Sequence, residues 1–115
     1  MAKQINKPAK SDATKGFFEI ANANFNKDEL LSYTITEMDD TVVYYKPLTF
    51  GEQQEIFVKS KKDEFASLLY CFMIKVLDSD GKRMFDLTHE QKIRTEVPPL
   101  AVIETANEIL QQLGK

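Results

Sequence analysis

Apolar and polar positions alternate along two short stretches of the chain and recur at helical spacing after them. Tyr33-Thr34-Ile35-Thr36-Glu37-Met38 alternates and is rich in β-formers, and Thr41-Val42-Val43-Tyr44-Tyr45-Lys46 resumes that character after Asp39-Asp40. Two such runs around a two-residue polar turn predict a β-hairpin. Pro47 ends its second strand, having no N–H for a ladder. Thr49-Phe50-Gly51-Glu52 has capping-box spacing, so a helix starts there and runs to about Val58. Lys59-Ser60-Lys61-Lys62 reads as its basic end, which suits the helix dipole. Asp63 can cap the next helix, where Phe65, Ala66, Leu68, Leu69, Phe72, Met73, Val76 and Leu77 recur at helical spacing. Tyr70, Cys71 and Ile74 fill most of its other face, and a helix apolar all round is buried on several sides. Asp78-Ser79-Asp80-Gly81 predicts a tight turn, and Lys82-Arg83-Met84-Phe85 a short extended return. Thr88-His89-Glu90-Gln91 is a second capping box that opens a short helix. Val97-Pro98-Pro99 breaks that helix and opens the last one, whose stripe is Leu100, Ile103, Ala106, Ile109, Leu110 and Leu113, with Gly114 as its stop. The expected fold class is α+β, mostly helical: an N-terminal β-hairpin (about 30–47) followed by about four helices.

Residues 1–15 lack this periodicity and read as a disordered basic leader, which leaves 16–115 as one folded domain. Phe17, Phe18 and Ile20 form the first apolar cluster, compatible with a short helix or a docking segment. Charge sharpens the division. The leader carries Lys3, Lys7, Lys10 and Lys15 against Asp12, a net of +3, so the remainder of a chain with net charge −3 stands at −6. An acidic body repels phosphate backbones, which argues against nucleic acid as the main partner. No run of about 20 apolar residues is present to span a membrane, and the leader has no apolar signal-peptide segment, so the expected location is cytoplasmic.

The inventory for chemistry is thin. His89 is the sole histidine and Cys71 the sole cysteine, so neither an internal disulfide nor a zinc site of three or four His/Cys ligands can be assembled within one chain. Cys71 sits in an apolar run and reads as a buried, inert thiol. Asp78-x-Asp80-Gly81 is the wrong length for a calcium loop: the twelfth position is His89, Glu90 comes one late, and the glycine comes too early. Glu52, Glu55, Asp63 and Glu64 read as helix-start carboxylates, and the four glycines form no phosphate loop. These readings imply no catalytic residues, no metal and no cofactor. They point to a protein that works by holding another protein.

Eight Phe and four Tyr are more than a small core easily hides. Core packing is the default for them; an exposed aromatic groove is the alternative, because aromatics dominate interface hot spots. Met38, Met73 and Met84 offer adaptable apolar surface. The candidate partner-contacting residues are Tyr33, Tyr44 and Tyr45 on the hairpin, Met73, Met84 and Phe85, and Ile103 and Leu110 on the last helix.

The order of these features resembles a known family. Tyr45-Lys46-Pro47-Leu48-Thr49 enters the helical part, Leu77-Asp78-Ser79-Asp80-Gly81-Lys82-Arg83-Met84-Phe85 follows the apolar helix, and Val97-Pro98-Pro99 precedes Ile103-x-x-Ala106-x-x-Ile109-Leu110. In this order they resemble the tail assembly chaperones of long-tailed bacteriophages, over roughly residues 30–113. The resemblance implies a non-enzymatic helper that coats the tape measure protein in the host cytoplasm and keeps it soluble. It also implies that the helper assists recruitment of tail tube protein, self-associates in some cases, and is absent from the mature virion. A small nucleic-acid-binding or regulatory protein using the Lys-rich leader is the alternative, and a carboxylate-only enzyme the third reading.

Overall fold

The computed structural model of the chain describes residues 10–61 and 63–111. In chain order these form α1 (Lys10–Asn24), β1 (Leu31–Ile35), β2 (Thr41–Tyr45), α2 (Phe50–Ser60), α3 (Glu64–Lys75), α4 (Glu90–Glu96) and α5 (Pro99–Gln111). Single 3-10 turns at Thr36–Met38 and Leu87–His89 complete the set. The fold is α+β and mostly helical, with the antiparallel hairpin before the main run of helices.

α3 is the centre. Leu68, Leu69, Cys71, Phe72, Met73 and Val76 are all buried, because α2 packs on one side of the helix and α5 on another. Each large apolar side chain fully buried in this way contributes about 1.5–3 kcal/mol. The chain leaving α3 then closes the hairpin. Leu77 exchanges backbone hydrogen bonds with Tyr44 (N to O 2.7 and 3.0 Å), so β2 has a partner on its second edge. Arg83 bridges to Leu77 in turn, which realises the expected extended return. The turn between them is held by Asp78, whose Oδ1 accepts from the N–H of Asp80 and of Lys82. Gly81 sits at φ 80°, where a Cβ would be strained. α5 lies against both α3 and β1, with Ala101, Ala106 and Ile109 fully buried.

Polar contacts lock these layers. The capping box at Thr49 forms as expected: Thr49 Oγ1 accepts from Glu52 N–H, and Glu52 Oε1 accepts from Thr49 N–H at 3.0 Å. The same Glu52 oxygen also accepts from Lys75 Nζ at 2.8 Å, and the Lys75 side chain is only 8% exposed. One carboxylate therefore caps α2 and neutralises the last turn of α3. Burial alone would raise the Glu52 carboxyl, but the Lys75 hydrogen bond and charge together with the Thr49 hydrogen bonds outweigh it and hold it below the usual range. Asp63 caps α3 by accepting from Ala66 N–H. Tyr45 OH donates to Glu108 across the β2–α5 contact, and Tyr70 OH donates to Glu55 across α3–α2 at 2.6 Å.

Four expectations are corrected. Residues 10–15, read as leader, are the opening turns of α1; Ala and Lys are good helix formers and Asp12 in the first turn suits the dipole. Residues 1–9, with the rest of the expected leader, and Leu113 and Gly114 lie outside the described residues. The hairpin connection is five residues, since Ile35 pairs with Thr41. The 3-10 turn within it brings Met38 back against the core, and Asp39 and Asp40 then take positive φ (56° and 59°), which Asp tolerates. The cap before α4 is Asp86, not Thr88: Asp86 Oδ1 accepts from Thr88 N–H and His89 Nδ1 accepts from Asp86 N–H. Thr88 falls inside that turn, so its hydroxyl points back to Asp86. On α5 the buried face is rotated from the expected stripe: Ala101 and Thr105 join Ala106 and Ile109, and Leu100 is exposed.

Two predictions follow from this packing. Glu52→Ala orphans a buried ammonium and removes a cap. It should cost about 3 kcal/mol in urea unfolding, the lower end for a broken buried pair because Glu52 itself keeps contact with water. Lys75→Met should cost clearly less. Because the folded Glu52 pKa is depressed, its stabilisation is full above the unfolded carboxylate pKa and is lost as pH falls through the folded one, so Glu52→Gln should flatten the acid limb of a stability–pH curve. Second, burial pushes the Cys71 thiol up to about 12. A thiol reagent at pH 8 should leave native Cys71 unmodified and react fully once the chain is denatured.

Candidate apolar binding groove

The Phe side chains divide sharply from the Tyr side chains. Phe72 is buried and Phe85 half-buried, stacked on Phe72 with ring centroids 5.4 Å apart. Phe17, Phe18, Phe25, Phe50, Phe57 and Phe65 are all exposed, led by Phe50 at 84% and Phe65 at 72%. The default expectation of core packing thus fails for six of the eight Phe. Three of the four Tyr, Tyr33, Tyr45 and Tyr70, lie in or against the core, and Tyr44 is half-buried beside Leu77.

One of these exposed rings, Phe65, stands at the edge of an apolar groove beside α4. This short helix is held down chiefly by Ile93, its one buried residue. Its polar face is tied to itself, with Arg94 on Glu90 at 2.9 Å and Lys92 on Glu96 at 3.3 Å. Leu68, Leu69 and Ile93 form the floor of the main groove, Val97, Val102 and Ile103 its walls, and Phe65 and Pro99 its rim. A second crevice on the other flank of α4 shares Ile93 and Val97 with the first and adds Phe85 and His89, whose rings meet edge to face at 5.9 Å. A third, more polar one shares Leu69 and Arg94 and adds Lys59, Tyr70 and Met73. The Tyr70 hydroxyl there is pushed up to about 12, chiefly by its hydrogen bond to Glu55 and then by burial.

The sequence folds this way for local reasons. α3 carries apolar residues all round, and α2 and α5 cover only part of its circumference, so its N-terminal half keeps an uncovered side. Pro98 and Pro99 end α4 and restart the chain as α5, which splays the two helices apart instead of letting them continue as one. The floor is consequently apolar and bounded by helices, a shape that accepts a helix with spaced apolar anchors.

Of the residues singled out from sequence, Ile103, Phe85 and Met73 come to this surface, Met73 only as a floor residue with 2% exposure. Tyr45 is buried in the core at 2% and presents no surface. Tyr33 and Leu110 are half-buried against the core, Tyr44 lies on the edge bonded to Leu77, and Met84 is exposed on the return segment. Sequence reasoning missed Ile93, Val97, Pro99 and Val102 as groove residues and assigned the exposed Phe65 to the core; Leu68 and Leu69, read as core, are core residues that also floor the groove. The usable signal was the excess of apolar positions on α3 over what two neighbours can cover. Among the described residues no three His, Cys, Asp or Glu side chains gather as a metal-binding group, and no helix is long and apolar enough to cross a membrane.

No model of a known protein family matches the chain, and no curated protein matches it by sequence. Solved structures do. The tail assembly chaperone of bacteriophage HK97 superposes with a TM-score of 0.51 over 84% of this chain and 94% of the other, at 14% sequence identity. At that identity the likeness is one of fold: the chain has the fold of the HK97 tail assembly chaperone, the fold that the ordered sequence features resemble.

Proposed function

We propose that this chain is a phage tail assembly chaperone that binds and solubilises the tape measure protein and helps recruit tail tube subunits. The observation that carries the reading is the open apolar groove between α3, α4 and the start of α5, rimmed by Phe65, in a chain with this fold. A tape measure protein is long and helical, with apolar faces that need cover until the tube encloses them. A groove that recognises spaced apolar anchors and few polar groups accepts many similar segments in turn, which a coat along a rod requires. No reaction is assigned to the groove, and the reading places the protein in the host cytoplasm and outside the finished particle.

Co-expression with the tape measure protein of the same phage tests this. Soluble tape measure protein should rise several-fold over expression alone. Phe65→Asp should remove most of that gain while leaving the far-UV spectrum unchanged, because Phe65 is exposed in the free chain. A tape measure protein equally insoluble with and without the chain would refute the reading.

A further inference from the structure

Charge is distributed unevenly around α4. On the flank that holds Phe85, Lys92 and Glu96 pair at 3.3 Å and cancel. The main groove has one charged lining residue, Arg94. The third crevice, of about 190 Å³, shares Leu69 and Arg94 with that groove and adds Lys59 from α2 and Glu90 from α4. Two cations there meet one carboxylate, in a chain whose net charge is −3.

Neither cation is fully engaged. Arg94 Nε and Nη2 both donate to the same Glu90 oxygen, at 3.0 and 2.9 Å, so the N–H groups of Nη1 stay unclaimed among the described residues. Lys59 has no ion-pair partner among them. Glu55, one turn earlier on α2, is not that partner; it accepts from Tyr70 OH at 2.6 Å instead. The other lining side chains beside the two cations include Ala66, Leu69 and Met73, which offer them no acceptor.

Docking therefore sets a condition on what docks. A helix seated in the groove covers Arg94 and overlies the edge of the crevice at Leu69. Covering a cation strips its water, and a charge left without a partner there is costly. A basic helix would add like-charge repulsion. A wholly apolar helix would leave Lys59 and the free Arg94 N–H groups without acceptors. A helix bearing a carboxylate meets a guanidinium fork already steadied by Glu90, and a lysine stem long enough to swing onto the same oxygens.

The spacing of that carboxylate follows from α3. Leu69 belongs to both sites, and Met73, one turn further on, belongs to the crevice and not to the groove. The two sites are offset by about one helical turn, roughly 5–6 Å, the separation of side chains three or four residues apart on a helix. Resting on the reading of the groove as the client site, we infer that the client segment is an acidic amphipathic helix. Lys59 and Arg94 take up an Asp or Glu carboxylate lying three or four residues from the apolar anchor that packs on Leu69.

Three synthetic alanine-rich helices, titrated against the full chain by fluorescence anisotropy, test it. They share Leu at every seventh position and carry Glu, Gln or Lys at the third and fourth positions on either side of the central Leu, which covers both directions of docking. At low ionic strength the Glu helix should bind about fivefold more tightly than the Gln helix, and the Lys helix about fivefold more weakly. Lys59→Glu should reverse the order of the Glu and Lys helices, and Arg94→Gln should narrow their difference, with far-UV spectra unchanged. Equal affinity for all three helices, or a Glu preference that Lys59→Glu leaves intact, overturns this inference and leaves the groove reading standing. No saturable binding by any of the three overturns both.

Discussion

Burial of α3 is the constraint on which the rest of the molecule depends. The helix is apolar nearly all round, and no single neighbour can cover it. α2 takes one side through Ser60–Ser67 and Tyr70–Glu55 contacts, α5 takes another through Ala101, Ala106 and Ile109, and the chain that leaves α3 seals the edge of the hairpin. The buried Lys75 at its last turn would be prohibitive alone. Glu52, already engaged in capping α2, serves both ends of that problem. In the first turn of α3 Phe65 stays uncovered, and the buried Leu68 and Leu69 beside it floor the groove. Stability and the proposed function thus draw on one apolar surplus.

Most of the architecture was legible in the sequence because it rests on local chemistry. Thr49 and Glu52 form the capping box their spacing announces, Asp63 caps α3, and Asp78 and Gly81 make the turn that their types require. Where the reading slipped, either a neighbouring local motif or a tertiary contact displaced the pattern. Thr88 has cap spacing, but a 3-10 turn starts two residues earlier, where Asp86 accepts from the N–H of Thr88 and His89 completes the box. Thr105 looks polar on α5 yet is fully buried, because the axis of α5 is set by its packing on α3 and not by its own stripe.

The site was less legible, and the reason is physical. Periodicity shows that a position is apolar; it does not show whether a neighbour arrives to cover it. Phe65 and Phe72 read alike in the pattern of α3, yet Phe72 stacks beneath Phe85 while Phe65 stands in solvent. Tyr45 looked like an interface residue from its place on the hairpin, and its hydroxyl instead finds Glu108 across the core, which lets the ring be buried at little polar cost. Only the three-dimensional arrangement of α2, α4 and α5 separates these cases.

The central claim is that the groove around α4, and not the hairpin, accepts apolar helices. Backbone amide shifts of the labelled chain, titrated with a synthetic amphipathic helix taken from a tape measure protein, test it most directly. The account predicts perturbations concentrated in Phe65–Leu69, in α4 and over Val97–Ile103. Perturbations confined to β1 and β2, or no saturable shift at all, would contradict it.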